Sequence, residues 1–175
     1  AEVTRQSAAE GMVLMKNNNA LPFAEKIKNV ALYGNTSYEF IAGGTGSGNV
    51  NHAYVVSLLD GLKNGGYTVD ESLKTAYEQY WADYKEQVKK KVEEAKEAHD
   101  QEALVKQFLG DPLPTEKLFS LDELKAHAAA ADVAILTLGR VSGEFFDRSV
   151  ADFSLSGSER KLLEQGCAVY HGARK

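Results

Sequence analysis

Hydrophobic and polar residues along the chain follow two alternating patterns, which predict strands and helices in alternation. Runs that are apolar at nearly every position are typical of buried parallel strands, and they lie at 29–34, 67–69 and 132–139. Apolar residues spaced by three or four positions predict amphipathic helices at 1–17, 52–62, 72–109, 120–130 and 156–170. This order of elements predicts a three-layer α/β/α sandwich with a mostly parallel sheet.

Local signals mark several of these boundaries. Ser120 is followed three positions later by Glu123, a capping box that predicts a helix start. The segment 72–109 carries Lys and Glu between its apolar positions, so we predict one long helix or a pair of helices with a solvated charged face. The sequence Asp111-Pro112-Leu113-Pro114 ends that helical region, because proline removes a backbone donor.

We interpret residues 1–175 as a single domain with a charged helical insertion at about 72–118. Three strands make a thin sheet for helices on both faces. The sequence also stops just after a helix, where a right-handed crossover would next require a strand. We therefore expect an incomplete domain whose sheet is truncated at its C-terminal end.

Composition removes several classes of partner from consideration. The net charge is −5, with 43% hydrophobic and 26% charged residues, a balance typical of a globular protein. Basic residues are not clustered with aromatic ones, so we expect no nucleic-acid partner. No apolar run approaches the roughly 18 residues that a membrane-spanning helix needs, so we expect no membrane partner.

The sequence predicts neither a metal nor a cofactor. No two histidines have the i,i+4 spacing of a helical metal site, and a single cysteine, Cys167, offers no partner for a disulfide or a zinc site. We expect Cys167 to be a small buried residue on a helix. The glycine-rich segment 43–48 lacks the spacing of a dinucleotide fingerprint, since Asn49 stands where the third glycine belongs, and it lacks the lysine of a P-loop.

Two loops deserve a functional interpretation because they follow predicted strands, and ligands of parallel sheets bind at the carboxyl ends of strands. The first, 34–51, contains the glycines, which permit positive φ or a close backbone approach. The second, 139–153, places Glu144 beside two aromatic residues, a setting that can keep a general acid protonated. The adjacent pair Asp147 and Arg148 is more often structural, so the residues alone leave catalytic and structural interpretations open.

Four motifs, in this order, resemble family 3 glycoside hydrolases of the β-glucosidase type, in their C-terminal α/β sandwich domain. They are 8–17 with Leu21-Pro22-Phe23, the glycine loop 44–50, the helical segment 59–62, and 142–148 with its continuation 153–159. The most specific is Ser142-Gly143-Glu144-Phe145-Phe146-Asp147-Arg148. Phe145 replaces a glycine of the family motif, which puts substrate preference at the leaving-group side in question.

The resemblance implies a retaining β-glycosidase that hydrolyses terminal β-linked sugars, with a β-glucoside as substrate. Glu144 would be the acid/base, and the nucleophilic aspartate would lie on a separate N-terminal-type barrel domain, so the chain alone would be inactive. Residues implied to line the substrate site are Gly44, Thr45, Gly46, Ser47, Ser142, Phe145, Phe146 and Arg148.

Two alternatives from other classes stay open at this point. The chain is then either a non-catalytic module that binds a carbohydrate or a small anion, or a purely structural domain. A structural domain of this kind would expose an uncovered sheet edge and favour self-association.

Overall fold

The computed structural model describes residues 2–43, 46–48, 50–109, 113–141, 147 and 149–172. Its helices and strands, in chain order, are α1 (Glu2–Glu10), β1 (Asn29–Tyr33), α2 (Leu58–Asn64), β2 (Thr68–Val69), α3 (Glu71–Glu97), α4 (Gln101–Leu109), α5 (Leu121–Ala130), β3 (Val133–Leu136), α6 (Val150–Phe153) and α7 (Gly157–Gly172). Two short 3₁₀ turns, Asn35–Ser37 and Gly46–Gly48, belong to the first predicted loop. Among these described helices, none is long and apolar enough to cross a membrane.

The strands form one parallel sheet in the order β2-β1-β3, so β1 is central. Val30 of β1 lies opposite Val69 on one side and Val133 on the other. The four residues from Val30 to Tyr33 are all buried. Burial on both faces explains why this strand is apolar at consecutive positions rather than at alternate ones.

Side chains of β1 alternate between two cores. Ala31 and Tyr33 pack on one face with side chains from α3, α5, α7 and the segment before α5, namely Leu73, Tyr77, Phe119, Leu124 and Leu162. Val30 and Leu32 pack on the other face with Leu59, Leu62 and Val69, from α2 and β2. Helices therefore cover both faces of the sheet, and the predicted three-layer sandwich is confirmed.

The charged helical region is a pair of helices, one of the two predicted arrangements. α3 ends at Glu97 and α4 begins at Gln101. Between them His99 adopts a left-handed backbone with φ of 54°. The bond from the Asp100 amide to the carbonyl of Ala95 closes this turn, so the chain reverses direction.

α3 runs across the sheet and past its carboxyl edge. The amide of Asp70, which caps α3, donates to the carbonyl of Val30, the second residue of β1. Further along, Trp81 Nε1 donates to the carbonyl of Asn35, and Lys85 pairs with Glu39 at 2.9 Å, both beyond the end of β1. The α3–α4 hairpin thus projects from the edge where the two predicted loops begin.

Two predicted helices are shorter than expected. The first was expected to reach residue 17 but ends at Glu10, and all of its residues are exposed. A short helix that packs against nothing is only marginally stable, so extending it by further turns adds little stability. Within the described residues, no other element covers this helix. The second begins at Leu58 instead of residue 52, because Ser57 and Asp60 form a capping box that fixes its start.

The prediction that Cys167 is buried is wrong. Cys167 is exposed and lies on α7 beside a groove lined by β3, α5 and α7. Its apolar spacing is that of an inward-facing position, but within the described residues no element covers that side of α7.

Candidate functional site

The two predicted loops begin side by side, because β1 and β3 are neighbours in the sheet. Thr36 Oγ1 donates to Thr137 Oγ1 at 2.9 Å, and Ser37 Oγ lies 2.8 Å from the same oxygen. The Ser37 hydroxyl also donates to the carbonyl of Tyr33 at 2.8 Å. The carboxyl edge therefore forms a small, hydrogen-bonded platform of hydroxyl groups from which both loops depart.

Two glycines allow this close approach. Gly34 has a φ of 96°, and a Cβ atom there would lie 2.1 Å from the carbonyl oxygen of Thr137. A Cβ atom on Gly139 would lie 2.4 Å from Cγ2 of Thr36. A larger residue at either position would push the two loops apart.

Arg140 is the first residue after this contact, and its side chain joins the start of the second loop to its end. The Nε atom donates to the carbonyl of Asp152 at 3.0 Å, and Nη2 donates to the carbonyl of Ser154 at 3.2 Å. Nη1 donates to the carbonyl of Gly139 at 2.7 Å. Both Nη atoms also bond to the carboxylate of Glu159, with Nη2 and Oε2 2.8 Å apart. We call this arrangement the Arg140 clamp.

Glu159 is held at the start of α7, and only 5% of its surface is exposed. Besides the two Nη atoms, its carboxylate accepts from the amide of Ser156 at 2.7 Å, while the Ser156 hydroxyl accepts from the amide of Glu159 at 3.3 Å. Hydrogen bonding from Arg140 is the main reason that the pKa of Glu159 lies below its ordinary value despite its burial. Glu159 is therefore ionised at neutral pH.

A second carboxyl group, Glu116, faces the same region from the segment 113–119, which we call the strap. Glu116 Oε2 accepts from the amide of Asn35 at 2.9 Å. The strap carbonyls of Pro114 and Thr115 accept in turn from Asn35 Nδ2. Burial raises the pKa of Glu116 to about 7, with a further increase from the negative charge of Glu159.

Glu116, Arg140 and Glu159 line one cavity of about 270 Å³ at the carboxyl edge. Its walls are the strap on one side and the segment from Ala151 to Ser158 on the other. The cavity lies between the base of the second loop and the strap. No cluster of three or more potential metal ligands occurs in the part of the chain that the structure describes.

Most of the predicted site residues cannot be placed against this geometry. Glu144, Gly44, Thr45, Ser142, Phe145, Phe146 and Arg148 lie outside the described residues. Gly46 and Ser47 lie on the 3₁₀ turn Gly46–Gly48. Gly43 and Gly48, at the two ends of the glycine segment, lie close together. A Cβ atom on Gly43 would lie only 2.2 Å from the carbonyl oxygen of Gly48.

The sequence interpretation did not single out Arg140, Glu159 or Glu116 as a group. Glu159 had a usable signal, since a serine stands three positions before it in the pattern of a capping box. Arg140 directly follows the glycine that ends a strand run, which is a weak signal. Glu116 carries no local signal, because its partner Asn35 is distant in the sequence.

The fold and this edge define a class: a parallel α/β sandwich domain whose polar groups gather where its strands end. Residues 12–171 match the family model described as the glycosyl hydrolase family 3 C-terminal domain. The chain belongs to this family, as the four motifs indicated.

The similar proteins are β-glucosidases. The chain is 33% identical over 175 residues to β-glucosidase A of Butyrivibrio fibrisolvens, covering 98% of this chain and 19% of that protein. It is 30% identical over 161 residues to a β-glucosidase of Ruminococcus albus, covering 90% of this chain and 15% of that protein. The structure of β-glucosidase 3B from Thermotoga neapolitana in complex with α-D-glucose superimposes with a TM-score of 0.76, at 33% identity, covering 99% of this chain and 22% of that one. The chain thus spans about a fifth of the length of these relatives.

Proposed function

We propose that this domain is part of a retaining β-glycosidase that hydrolyses terminal β-linked sugars, and that Glu144 is its acid/base. The similarity to β-glucosidases over nearly the whole chain carries this proposal. The position of Arg140 supports it, since Arg140 lies at the carboxyl edge of the sheet and Glu144 follows it by four residues in the sequence.

In the proposed mechanism an aspartate of a separate barrel domain attacks the anomeric carbon of the terminal sugar. Glu144 protonates the departing glycosidic oxygen and forms an alcohol or phenol as the leaving group. In the second half of the reaction Glu144 removes a proton from water, which hydrolyses the glycosyl-enzyme intermediate. The two carboxyl groups of such a pair stand about 5–5.5 Å apart.

The other residues of the site follow from the same proposal. We assign Gly44, Thr45, Gly46 and Ser47 to the outer sugar subsite, and Ser142, Phe145, Phe146 and Arg148 to substrate contacts around the acid/base. In this proposal Phe145, which stands where the family motif has a glycine, would narrow the leaving-group subsite. Residues 1–175 form a single, incomplete domain in this proposal, and the insertion at about 72–118 includes the α3–α4 hairpin.

The first test is hydrolysis of a chromogenic β-glucoside by this chain alone and after addition of a separately expressed family 3 barrel domain. We expect activity only in the mixture, because each half supplies one carboxyl group. Glu144→Gln should lower the activity of the mixture by about 10²–10⁴-fold, the usual contribution of a general acid. The matched control is Glu164→Gln, an exposed glutamate on α7.

Each alternative function predicts a different result. A non-catalytic binding module would retain affinity for glucose or for an inorganic anion while Glu144→Gln left turnover of the mixture unchanged. Turnover by the chain alone would show that a nucleophile is present in these 175 residues and would contradict the two-domain arrangement.

A further inference from the structure

The loop after β3 is fixed at both of its ends by one side chain. Arg140 stands at its start, next to Val141, which is buried. The carbonyls of Asp152 and Ser154 stand at its end and accept from the same guanidinium. The guanidinium therefore ties these two ends to each other and, through Glu159, to α7.

All five N–H groups of the Arg140 guanidinium have an acceptor within the domain. Three are the carbonyl oxygens of Gly139, Asp152 and Ser154, and two are the carboxylate oxygens of Glu159. An arginine side chain has five such donors, so this one is already saturated. Arg140 carries a positive charge at a candidate active site. Its N–H groups are nevertheless already used within the domain, so it has none left to donate to a substrate.

The partner of the clamp is itself immobilised. Glu159 is buried in the first turn of α7, and its carboxylate accepts from the amide of Ser156. Leu162, one turn later, packs in the core against β1. A bidentate arginine–carboxylate pair fixes orientation as well as distance. The clamp thus fixes the base of the loop relative to the packed helix α7.

We infer that Arg140 is a positioning residue for the acid/base glutamate, acting through its pair with Glu159. This inference rests on the proposed role of Glu144, which lies in the loop that the clamp closes. The carboxyl of a general acid must reach the glycosidic oxygen within hydrogen-bond distance, and a misplacement of about 1 Å can cost roughly 10²-fold in rate. A loosened clamp therefore weakens proton transfer to the leaving group while leaving nucleophilic attack intact.

The test uses the full-length enzyme that carries this domain and compares two substrates that differ in their need for an acid. An alkyl β-glucoside has a poor leaving group and requires protonation, whereas 2,4-dinitrophenyl β-glucoside departs without it. For Arg140→Lys we expect kcat/KM to fall about 10²-fold on the alkyl glucoside and less than about 3-fold on the dinitrophenyl glucoside. Added azide, which needs no general base, should restore turnover of the dinitrophenyl substrate where deglycosylation has become limiting.

The ratio of the two kcat/KM values is the decisive quantity, because partial unfolding lowers both values equally and leaves their ratio unchanged. Glu159→Gln provides a second route to the same result if Arg140→Lys does not fold, since it leaves the three carbonyl acceptors in place. Arg160→Lys is the matched control, because Arg160 is the neighbouring, exposed arginine on α7. Its ratio should equal that of the unmodified enzyme.

The outcomes separate this inference from the proposed function. Equal losses on both substrates, or no loss, in the Arg140 and Glu159 variants would overturn the positioning role. Glu144→Gln serves as the reference, and it should show the same substrate dependence more strongly. If Glu144→Gln does not discriminate between the substrates, the acid/base assignment itself is wrong.

Discussion

The two walls of the carboxyl-edge cavity carry carboxyl groups with opposite properties. On the α7 side the pKa of Glu159 is lowered although only 5% of its surface is exposed, while burial raises the pKa of Glu116 on the strap to about 7. Glu159 accepts from a guanidinium and a backbone amide, whereas Glu116 accepts from the backbone amide of Asn35. Hydrogen bonding from a cation thus outweighs desolvation at Glu159, whereas desolvation dominates at Glu116.

Removing the cation should have the largest effect on this contrast. Arg140→Met leaves the carboxylate of Glu159 buried without its main partner, and loss of one member of a fully buried pair costs about 3–5 kcal/mol. Because 40% of the Arg140 side chain is exposed, we expect the free energy of unfolding to fall by about 2–3 kcal/mol. Urea denaturation of the 175-residue chain measures this difference.

The control for that measurement is Arg160→Met, which should stay within about 0.5 kcal/mol of the unmodified chain. An Arg140→Met variant as stable as this control would show that the clamp does not stabilise the domain. In the same variant we expect the pKa of Glu159 to rise, because the hydrogen bonds from Arg140, the main cause of its lowered pKa, are removed.

The pH dependence of stability should separate the two carboxyl groups. The folded-state pKa of Glu116 is raised, so its stabilising contribution is complete below the ordinary value of 4.5 and is lost as the pH rises through about 7. The pKa of Glu159 is shifted in the opposite direction. Its contribution to stability is therefore lost as the pH falls below 4.5 and through its lowered pKa.

Glu116→Gln tests the alkaline half of this prediction. In the unmodified chain, titration of Glu116 should lower the free energy of unfolding between about pH 5 and pH 8, and the variant should lack this decrease. We expect the decrease to be on the order of 1–2 kcal/mol, because solvent around the half-buried carboxyl group weakens the effect. Glu164→Gln, at an exposed position, should retain the decline. Identical slopes in the two variants would show that Glu116 titrates near its ordinary value.

The smallest expected effect concerns the support of Glu159 from its own helix. Ser156→Ala removes the hydroxyl that accepts from the amide of Glu159 but keeps the amide that donates to the carboxylate. We expect a loss of about 0.5–1 kcal/mol, typical of a helix cap. Ser158→Ala, at the second residue of α7, removes a hydroxyl that lies 3.2 Å from the Ser156 hydroxyl and should cost less. Equal losses would argue that the cap contributes nothing specific to Glu159.

Much of the fold could be predicted because its signals are local. The apolar runs of β1 and β3, and the capping box of Ser120 and Glu123, each lie within a few residues, and the structure confirms them. The start of α2 was missed because the cap at Ser57 outweighed the periodic Val55 and Val56, which are exposed.

The site could be predicted only in outline. Adjacent parallel strands bring their following loops together, and this general rule correctly placed the two loop starts at one edge. The clamp joins Arg140 to Glu159, and the raised pKa of Glu116 comes from its burial in the folded chain, so both need tertiary contacts between distant residues. Of the pair Asp147 and Arg148, for which the sequence left catalytic and structural interpretations open, Arg148 lies outside the described part of the chain.

The α3–α4 hairpin offers a practical handle for spectroscopy. Its turn at Ala98 to Asp100 is exposed and lies about 20 Å along α3 beyond the Lys85–Glu39 ion pair at the carboxyl edge. A cysteine at Ala98, in a chain whose exposed Cys167 is replaced by serine, would accept a fluorophore without disturbing either loop. Energy transfer from that fluorophore to a labelled barrel domain would report the geometry of their docking as a distance, independently of any turnover.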